Sequence, residues 1–202
     1  MQLDLPSQTD IYLLDQIMRG RLRANMRLLD AGCGQGRNSA IFIQKNIEIY
    51  GIDKSEQAIA SLRRKCREWN PQYPPERFTV ADLSALPFPD NHFDFVVCSA
   101  VLHFAENRNQ FVQWFEEMVR TLRPGGIFWF RMTTKHTIEP YCRHIQDDVF
   151  ALPDGTTRYL LDRAVLRDLM AENGLTFLDP FKTVNVNDIR TMATVVLRKN
   201  GG

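Results

Sequence analysis

Between residues 28 and 36 the chain reads Leu-Leu-Asp-Ala-Gly-Cys-Gly-Gln-Gly: two leucines, an acid, then a glycine at every second position. Glycine adopts positive φ freely and, lacking a Cβ, lets a neighbouring group approach the backbone. Apolar residues run into Asp30, and a helical pattern begins at about Arg37. The order is therefore a buried strand, a tight turn and a helix whose first N–H groups lack backbone partners. Such a unit is shaped to lie against a ligand at the carboxyl ends of a parallel sheet.

The rest of the chain extends that pattern. Apolar residues at 11, 14, 17 and 18 predict an N-terminal helix within residues 8–23. Short apolar runs at 26–31, 47–52, 78–80, 93–98 and 127–132 predict five strands, and 175–183 with 191–198 close the sheet as a hairpin-like pair. Helical stretches at 37–45, 55–69, 108–122 and 162–173 separate most of them. Ser55 and Asp162 serve as N-caps, and Gly174 sits where a C-cap glycine belongs. The alternation predicts an α/β fold, a three-layer sandwich with helices on both faces of a mostly parallel sheet. A length of 202 residues suits one domain spanning 1–202. The least regular stretch, 133–159, follows the fifth strand and reads as a substrate wall or lid.

Composition narrows the function. Twenty-five basic residues against 24 acidic leave a net charge of +1, which gives no electrostatic case for nucleic acid or a membrane surface. Cys33, Cys66, Cys98 and Cys142 lack C-x-x-C spacing, so reduced thiols in a cytoplasmic protein are expected. Residues 1–10 hold two acids and no apolar run, so no secretory leader is expected. No window approaches the roughly 18 apolar residues of a membrane span.

Two cofactor classes use glycine loops of this kind. The dinucleotide fingerprint G-x-G-x-x-G, counted from Gly32, needs a glycine where Arg37 stands; counted from Gly34 it meets Ser39. A nicotinamide oxidoreductase is disfavoured on that ground. The pattern present, D-x-G-x-G-x-G, resembles the first motif of class I S-adenosylmethionine-dependent methyltransferases. The resemblance continues through Gly51-Ile52-Asp53, Ala81-Asp82-Leu83 with Pro87-Phe88 following, Ser99-Ala100-Val101-Leu102-His103-Phe104, and Leu122-Arg123-Pro124-Gly125-Gly126. It covers roughly residues 28–132, with five motifs in order. Gly36-Arg37-Asn38 looks locally like small-molecule members of the tellurite-resistance and thiopurine type.

The resemblance implies a seven-stranded sheet in the order 3-2-1-4-5-7-6 with strand 7 antiparallel. It implies S-adenosylmethionine as cofactor, S-adenosylhomocysteine as product and no metal. It places Asp30, Ala31, Gly32, Cys33, Gly34, Gly36, Arg37 and Asn38 at the cofactor, with Asp30 helping to hold the methionine portion directly or through water. Asp53 is either a ribose acceptor or a turn former before Ser55, and Lys54 flanks the adenine. Asp82 accepts from the adenine amino group, with Leu83 N–H against the ring; a turn aspartate is its other reading. Ser99 and Leu102 lie near the sulfonium. His103 is either a general base facing the acceptor or a histidine packed at the strand end.

Acceptor chemistry is argued mostly by exclusion. Enzymes that methylate adenine or glutamine nitrogens carry (N/D)-P-P-(Y/F) where this chain has Ser99-Ala100-Val101-Leu102, and Cys98 sits inside a strand rather than after a proline as cytosine C5 chemistry requires. A small-molecule acceptor is the leading expectation. An RNA or protein methyltransferase and a cofactor-binding regulator without turnover remain as alternatives. On the acceptor side stand His136, Glu139, Tyr141, His144 and Tyr159, each also readable as an ordinary loop residue. The spacing of His136, Glu139 and His144 does not place them on one helical face as metal ligands. Tyr12 and Gln16 of the N-terminal helix are placed to cover the cofactor.

Overall fold

The computed structural model describes residues 8–201. The expectation of no secretory leader falls mainly on residues 1–7, outside the described residues. The helices are α1 (Ile11–Met18), α2 (Ala40–Gln44), α3 (Glu56–Trp69), α4 (Arg108–Thr121) and α5 (Arg163–Glu172). The strands are β1 (Leu28–Ala31), β2 (Ile49–Asp53), β3 (Phe78–Val80), β4 (Phe93–Ser99), β5 (Leu122–Thr133), β6 (Arg143–Gln146), β7 (Val149–Ala151), β8 (Thr157–Tyr159), β9 (Leu175–Phe177), β10 (Lys182–Val186) and β11 (Arg190–Lys199).

The main sheet runs β10-β11-β5-β4-β1-β2-β3, and β9 pairs with a second stretch of β11. From β3 to β5 all pairings are parallel, and β11 is antiparallel to β5. This is the expected α/β order, with β11 as the antiparallel seventh strand. The expected sixth strand, 175–183, is two strands instead. β9 pairs with Leu197–Lys199 and β10 with Arg190–Thr194, and Pro180, which has no N–H for a ladder, lies between them.

Both faces of the sheet are buried, so its central strands read as near-continuous apolar runs. Successive residues nonetheless divide between two cores. Leu29, Val96, Cys98, Phe128 and Phe130 pack with α4 and α5, while Leu28, Phe95, Val97, Ile127 and Trp129 pack with α1, α2 and α3. Ser55 caps α3 by accepting from Ala58 N–H at 3.2 Å, and the buried stripe Ile59, Leu62, Cys66 fixes which side of α3 faces the sheet. Between α4 and the body of β5, Gly125 takes φ +76°. The register jumps so that Phe93 faces Leu122 while Phe95 faces Ile127.

The segment after β5 is more ordered than expected. β6, β7 and β8 form their own antiparallel sheet over a small core of Ile138, Phe150, Leu152 and Leu160. It leaves and rejoins the main sheet at one point, where Leu161 N–H donates to Thr133 O at 3.0 Å. Asp148, 1% exposed, anchors it: Lys135 Nζ lies 2.7 Å from Oδ1, while Arg108 of α4 and the Tyr159 hydroxyl donate to Oδ2 at 2.8 and 3.1 Å. Burial alone pushes the Asp148 carboxyl up, but Lys135 and Arg108 outweigh it and hold the group below the usual range. Without Asp148 the buried Tyr159 hydroxyl loses its acceptor, Lys135 keeps only Asp162, and the tie from α4 through Arg108 is lost. Asp148→Ala is therefore expected to cost about 3–5 kcal/mol in urea unfolding, whereas Glu139→Ala, at an exposed position, should change little.

Candidate functional site

A cleft of about 550 Å³ opens at the carboxyl ends of β1, β2, β3 and β4. Its wall is made by Gly32, Ile52, Asp53, Lys54, Ala81, Asp82, Leu83, Ser99, Ala100, Val101, Phe104 and Trp114. That volume lies within the range of small-molecule sites.

The glycine loop is held from two sides. Gly32 and Cys33 N–H donate to Ile52 O at 2.8 and 2.9 Å, and Gly34 N–H donates to Asp53 Oδ2 at 2.9 Å. Gly32 has φ +75°, and a Cβ there would meet the Val101 side chain at 2.5 Å. Gly36 has φ +82°, and a Cβ there would collide with Leu62 of α3. Both positions thus require glycine for conformation and for space.

Asp53 fills the turn-forming role and also lines the cleft. Ser55 N–H donates to its Oδ1 at 2.9 Å, as a turn former would arrange, and Gly34 N–H takes its Oδ2. One lone pair on each oxygen remains for a ligand. Asp82 is held by Ser84, whose N–H and hydroxyl donate to Oδ1 at 2.8 and 2.6 Å and pull the carboxyl below its usual range. The segment after it is fixed by α4. Glu117 accepts from Leu86 N–H at 2.9 Å, and Arg120 donates to Leu86 O and Phe88 O at 3.1 and 2.9 Å.

Several predicted residues lie behind the wall. Asp30 is 2% exposed and accepts from Ser39 Oγ at 2.7 Å. Burial pushes its carboxyl up to about 6 against the lowering effect of that bond. Ala31, Cys33, Asn38 and Leu102 are buried, and Gly34 and Gly36 act through the backbone. Arg37 is half-exposed and reaches Ser99 Oγ at 3.2 Å. His103 sits in a one-turn 3-10 helix, 102–104, with Nδ1 buried and unpartnered, and the neighbouring Phe104 faces the cleft. Burial, reinforced by Arg158 and Arg190, lowers His103 to about 4, so its ring is neutral at pH 7.

The acceptor-side candidates do not converge. His136, Glu139, Tyr141 and His144 are exposed. Tyr159 is fully buried, stacked on Phe111 at 4.5 Å between ring centroids. No cluster of three or more His, Cys, Asp or Glu placed to hold a metal occurs among the described residues. Tyr12 of α1 lies against Arg131 of β5, with the guanidinium carbon 4.9 Å from the ring centroid. Gln16 is turned away, donating to Asp15 and Asp179 at 2.9 and 3.2 Å.

Three residues of the site escaped the sequence reading. Trp114 shares its helical stripe with Phe111, Phe115 and Met118 and looks like plain core, yet it lines the cleft with its indole N–H buried and unpartnered. Ala100 has φ +60°, which an alanine gives no cue to. Asp10 caps α1 and lies 5% exposed at the ends of β4 and β5. Its N-cap role is a recognisable signal; its long-range partners are not.

A family described as "Methyltransferase domain" matches residues 29–130, just over half of the chain. The chain belongs to this methyltransferase family. Among curated relatives, the putative methyltransferase YqeM of Bacillus subtilis is 29% identical over 135 residues, covering 66% of this chain and 52% of the relative. The chain spans about half or less of the length of the first curated relatives it matches. Among solved structures, an S-adenosylmethionine-dependent methyltransferase of Methanosarcina mazei superposes with TM-score 0.76 at 20% identity, covering 92% of this chain and 98% of that one. Magnesium protoporphyrin IX methyltransferase of Synechocystis, with bound S-adenosylhomocysteine, gives TM-score 0.72 at 19% identity, over 96% and 83% of the two chains. At these identities the likeness establishes the fold.

Two buried groups of the site oppose each other in pH. Between 3.8 and about 6 the folded chain keeps a proton on Asp30 that the unfolded chain releases, so this group lowers stability as pH rises. Between about 4 and 6.5 the unfolded chain holds a proton on His103 that the folded chain lacks, so this group raises stability as pH rises. Relative to the parent, Asp30→Asn is expected to make stability climb more steeply from pH 4 to 6, and His103→Gln to make it climb less. Urea unfolding at stepped pH measures both slopes.

Proposed function

We propose that this chain is an S-adenosylmethionine-dependent methyltransferase acting on a small-molecule acceptor. When bound, the cofactor supplies a methyl group on a sulfonium that is already a good leaving group. The observation that carries the reading is the order of groups along one cleft: Asp82, Leu83 and Trp114 at one end, Asp53 next, then Gly32 and Ser99. That order suits adenine, ribose and the sulfur-bearing chain. Asp53 would accept from both ribose hydroxyls with its two remaining lone pairs. Asp82 would accept from the adenine amino group, with Leu83 against the ring and Lys54 at its edge. Trp114 offers an indole N–H to the same end. Gly32 lets the ligand lie against the backbone, and Ser99 meets the methionine side. Asp30, Ala31, Cys33, Gly34, Gly36, Asn38 and Leu102 shape this wall from behind.

In-line transfer needs the acceptor atom held opposite the sulfur, and orientation of that kind supplies most of the acceleration. Ala100, Val101 and Phe104 lie where an acceptor would approach, and the sheet β6-β7-β8 makes a wall beside them through Arg158, which stands 4.7 Å over the Phe104 ring. In this reading residues 133–159 are the substrate-side element of one domain. His103, buried behind Phe104, outside the cleft lining and lowered to about 4, fits the packed strand-end histidine better than a general base. A balanced net charge supports a small acceptor over nucleic acid, and the acceptor named for the Synechocystis neighbour is itself a small molecule. The four unpaired thiols support a reducing, cytoplasmic setting.

Transfer of labelled methyl groups from S-adenosylmethionine across a panel of metabolites, with RNA and peptides in parallel, tests the reading. Turnover on a metabolite supports it. Cofactor binding without turnover on any class would assign a regulatory role, and binding of NAD alone would refute the reading. In calorimetry with S-adenosylhomocysteine, Asp53→Ala should weaken binding by roughly 1.5–3 kcal/mol, the range for hydrogen bonds to a charged group. An unchanged affinity would remove Asp53 from the ribose position.

A further inference from the structure

On the acceptor side of the cleft Phe104 leaves a large apolar ring 53% exposed. A charge stands over it: the guanidinium carbon of Arg158, on β8, lies 4.7 Å from the ring centroid. Among the described residues Arg158 makes one side-chain hydrogen bond, from Nη1 to Thr157 O at 2.7 Å, and no ion pair within 4.0 Å. A second guanidinium arrives from another part of the chain. Arg190 opens β11, two residues before Met192, which faces Thr133 at the end of β5. Its Nη2 lies 3.9 Å from Oδ2 of Asp154, in the turn between β7 and β8. Asp154 is already held by Thr156, whose N–H and hydroxyl donate to Oδ1 at 3.0 and 2.6 Å. Those two bonds, and then the charges of Arg190 and Arg158, hold its carboxyl below the usual range. Burial, and then the same two arginines, lower His103, the residue before Phe104. Both guanidinium groups therefore act on one neighbourhood, between Phe104 and the β7–β8 turn.

A cation over an aromatic face satisfies the ring more than the cation. The N–H donors of a guanidinium point outward in its own plane and still need acceptors. Two guanidinium groups here share one carboxylate, which leaves a local surplus of one positive charge in a chain whose basic and acidic residues otherwise balance, 25 against 24. Beside them the cleft wall is apolar, through Ala100, Val101 and Phe104. The complement of such a surface is an apolar body that ends in a single negative charge. A planar carboxylate matches the guanidinium fork, and one negative charge suits the surplus better than the two of a phosphate monoester.

We propose that Arg158 and Arg190 select an anionic methyl acceptor, a small organic acid whose apolar body lies on Val101 and Phe104 and whose carboxylate is held between the two guanidinium groups. The proposal rests on the methyltransferase reading above and adds to it the charge class of the acceptor. It also gives the sheet β6-β7-β8 a part in recognition, since that sheet carries Arg158 and meets Arg190 through Asp154.

Transfer of labelled methyl groups from S-adenosylmethionine to aromatic and aliphatic carboxylic acids, each beside its own primary amide, with amines and phosphate monoesters in parallel, reads the charge preference. Acids are expected to bind about 10- to 100-fold better than their amides, the scale of a hydrogen bond to a charged group, each amide being read as substrate or as competitor. For the best acid, Arg158→Gln should raise KM by that same factor and leave the amide within about twofold. Arg190→Gln should raise KM less, and Arg158→Lys, which keeps the charge without the fork, should recover part of the loss. A merely structural role would move acid and amide together. Turnover of neutral, amine or phosphate acceptors with the acids refused would overturn the proposal and leave the methyltransferase reading standing. Equal shifts for acid and amide in Arg158→Gln, or a loss confined to kcat, would overturn it as well. S-adenosylhomocysteine affinity reports whether each variant is folded, and should Arg158→Gln fail that check, Arg190→Gln at its exposed position carries the same comparison. If the parent methylates no acceptor of any class, the enzyme reading fails and the proposal with it, a result distinct from refusal of the acids alone.

Discussion

The bond from Gly34 N–H to Asp53 Oδ2 ties the loop after one strand to the end of its neighbour, and the site is organised around it. The loop can lie this close to β2 because Gly32 and Gly36 take positive φ in spaces that a side chain would fill with Val101 or Leu62. Once the loop is fixed, α2 must start behind it, and the turn before α2 brings Asn38 and Ser39 inward. Ser39 then satisfies Asp30, an acid that would otherwise stand unpaired inside a strand. The same carboxylate of Asp53 that shapes the loop keeps a free lone pair on each oxygen. The turn therefore leaves Asp53 acceptor capacity at the cleft wall.

The sheet supplies the rigidity this arrangement needs. Each central strand sends alternate residues into two cores, so a slip of one residue would exchange the two sets and is opposed on both faces. The strand ends are consequently fixed relative to one another, and the left-handed Ala100 between Ser99 and Val101 is held where the chain alone would not place it. The antiparallel β11 finishes the sheet beside β5. That pairing carries Arg131 to the same edge as the glycine loop.

Much of the fold could be read along the chain, because the signals are local. Apolar runs ending in Asp30 and Asp53, the cap at Ser55, and the Pro124-Gly125-Gly126 turn each act over a few residues. Where local and tertiary signals part, the reading erred. Residues 175–183 look like one strand, but β11 is long enough to accept two partners in succession, and Pro180 divides them. Residues 133–159 look irregular because their strands are short and half-exposed; their order comes from pairing with one another and from the buried Asp148. Trp114 reads as core because helical periodicity reports which side of a helix is buried, not which part of that side borders a cleft.

By itself the sequence determined the glycine loop, the acids at the strand ends, the strand order that follows from the family resemblance, and the cofactor class. Each of these rests on backbone freedom or on residue type at a fixed short spacing. Tertiary structure alone decided which of those residues line the cleft. It set Asp30 behind the wall and Asp53 in it, since Asp30 lies one residue before the end of β1 between two packed layers and Asp53 is the last residue of β2. It also brought Asp10, Arg37 and Arg131 together across separations of up to 121 residues. No local pattern encodes that meeting, because it depends on where a helix start, a turn and the end of a distant strand arrive along one edge of the sheet.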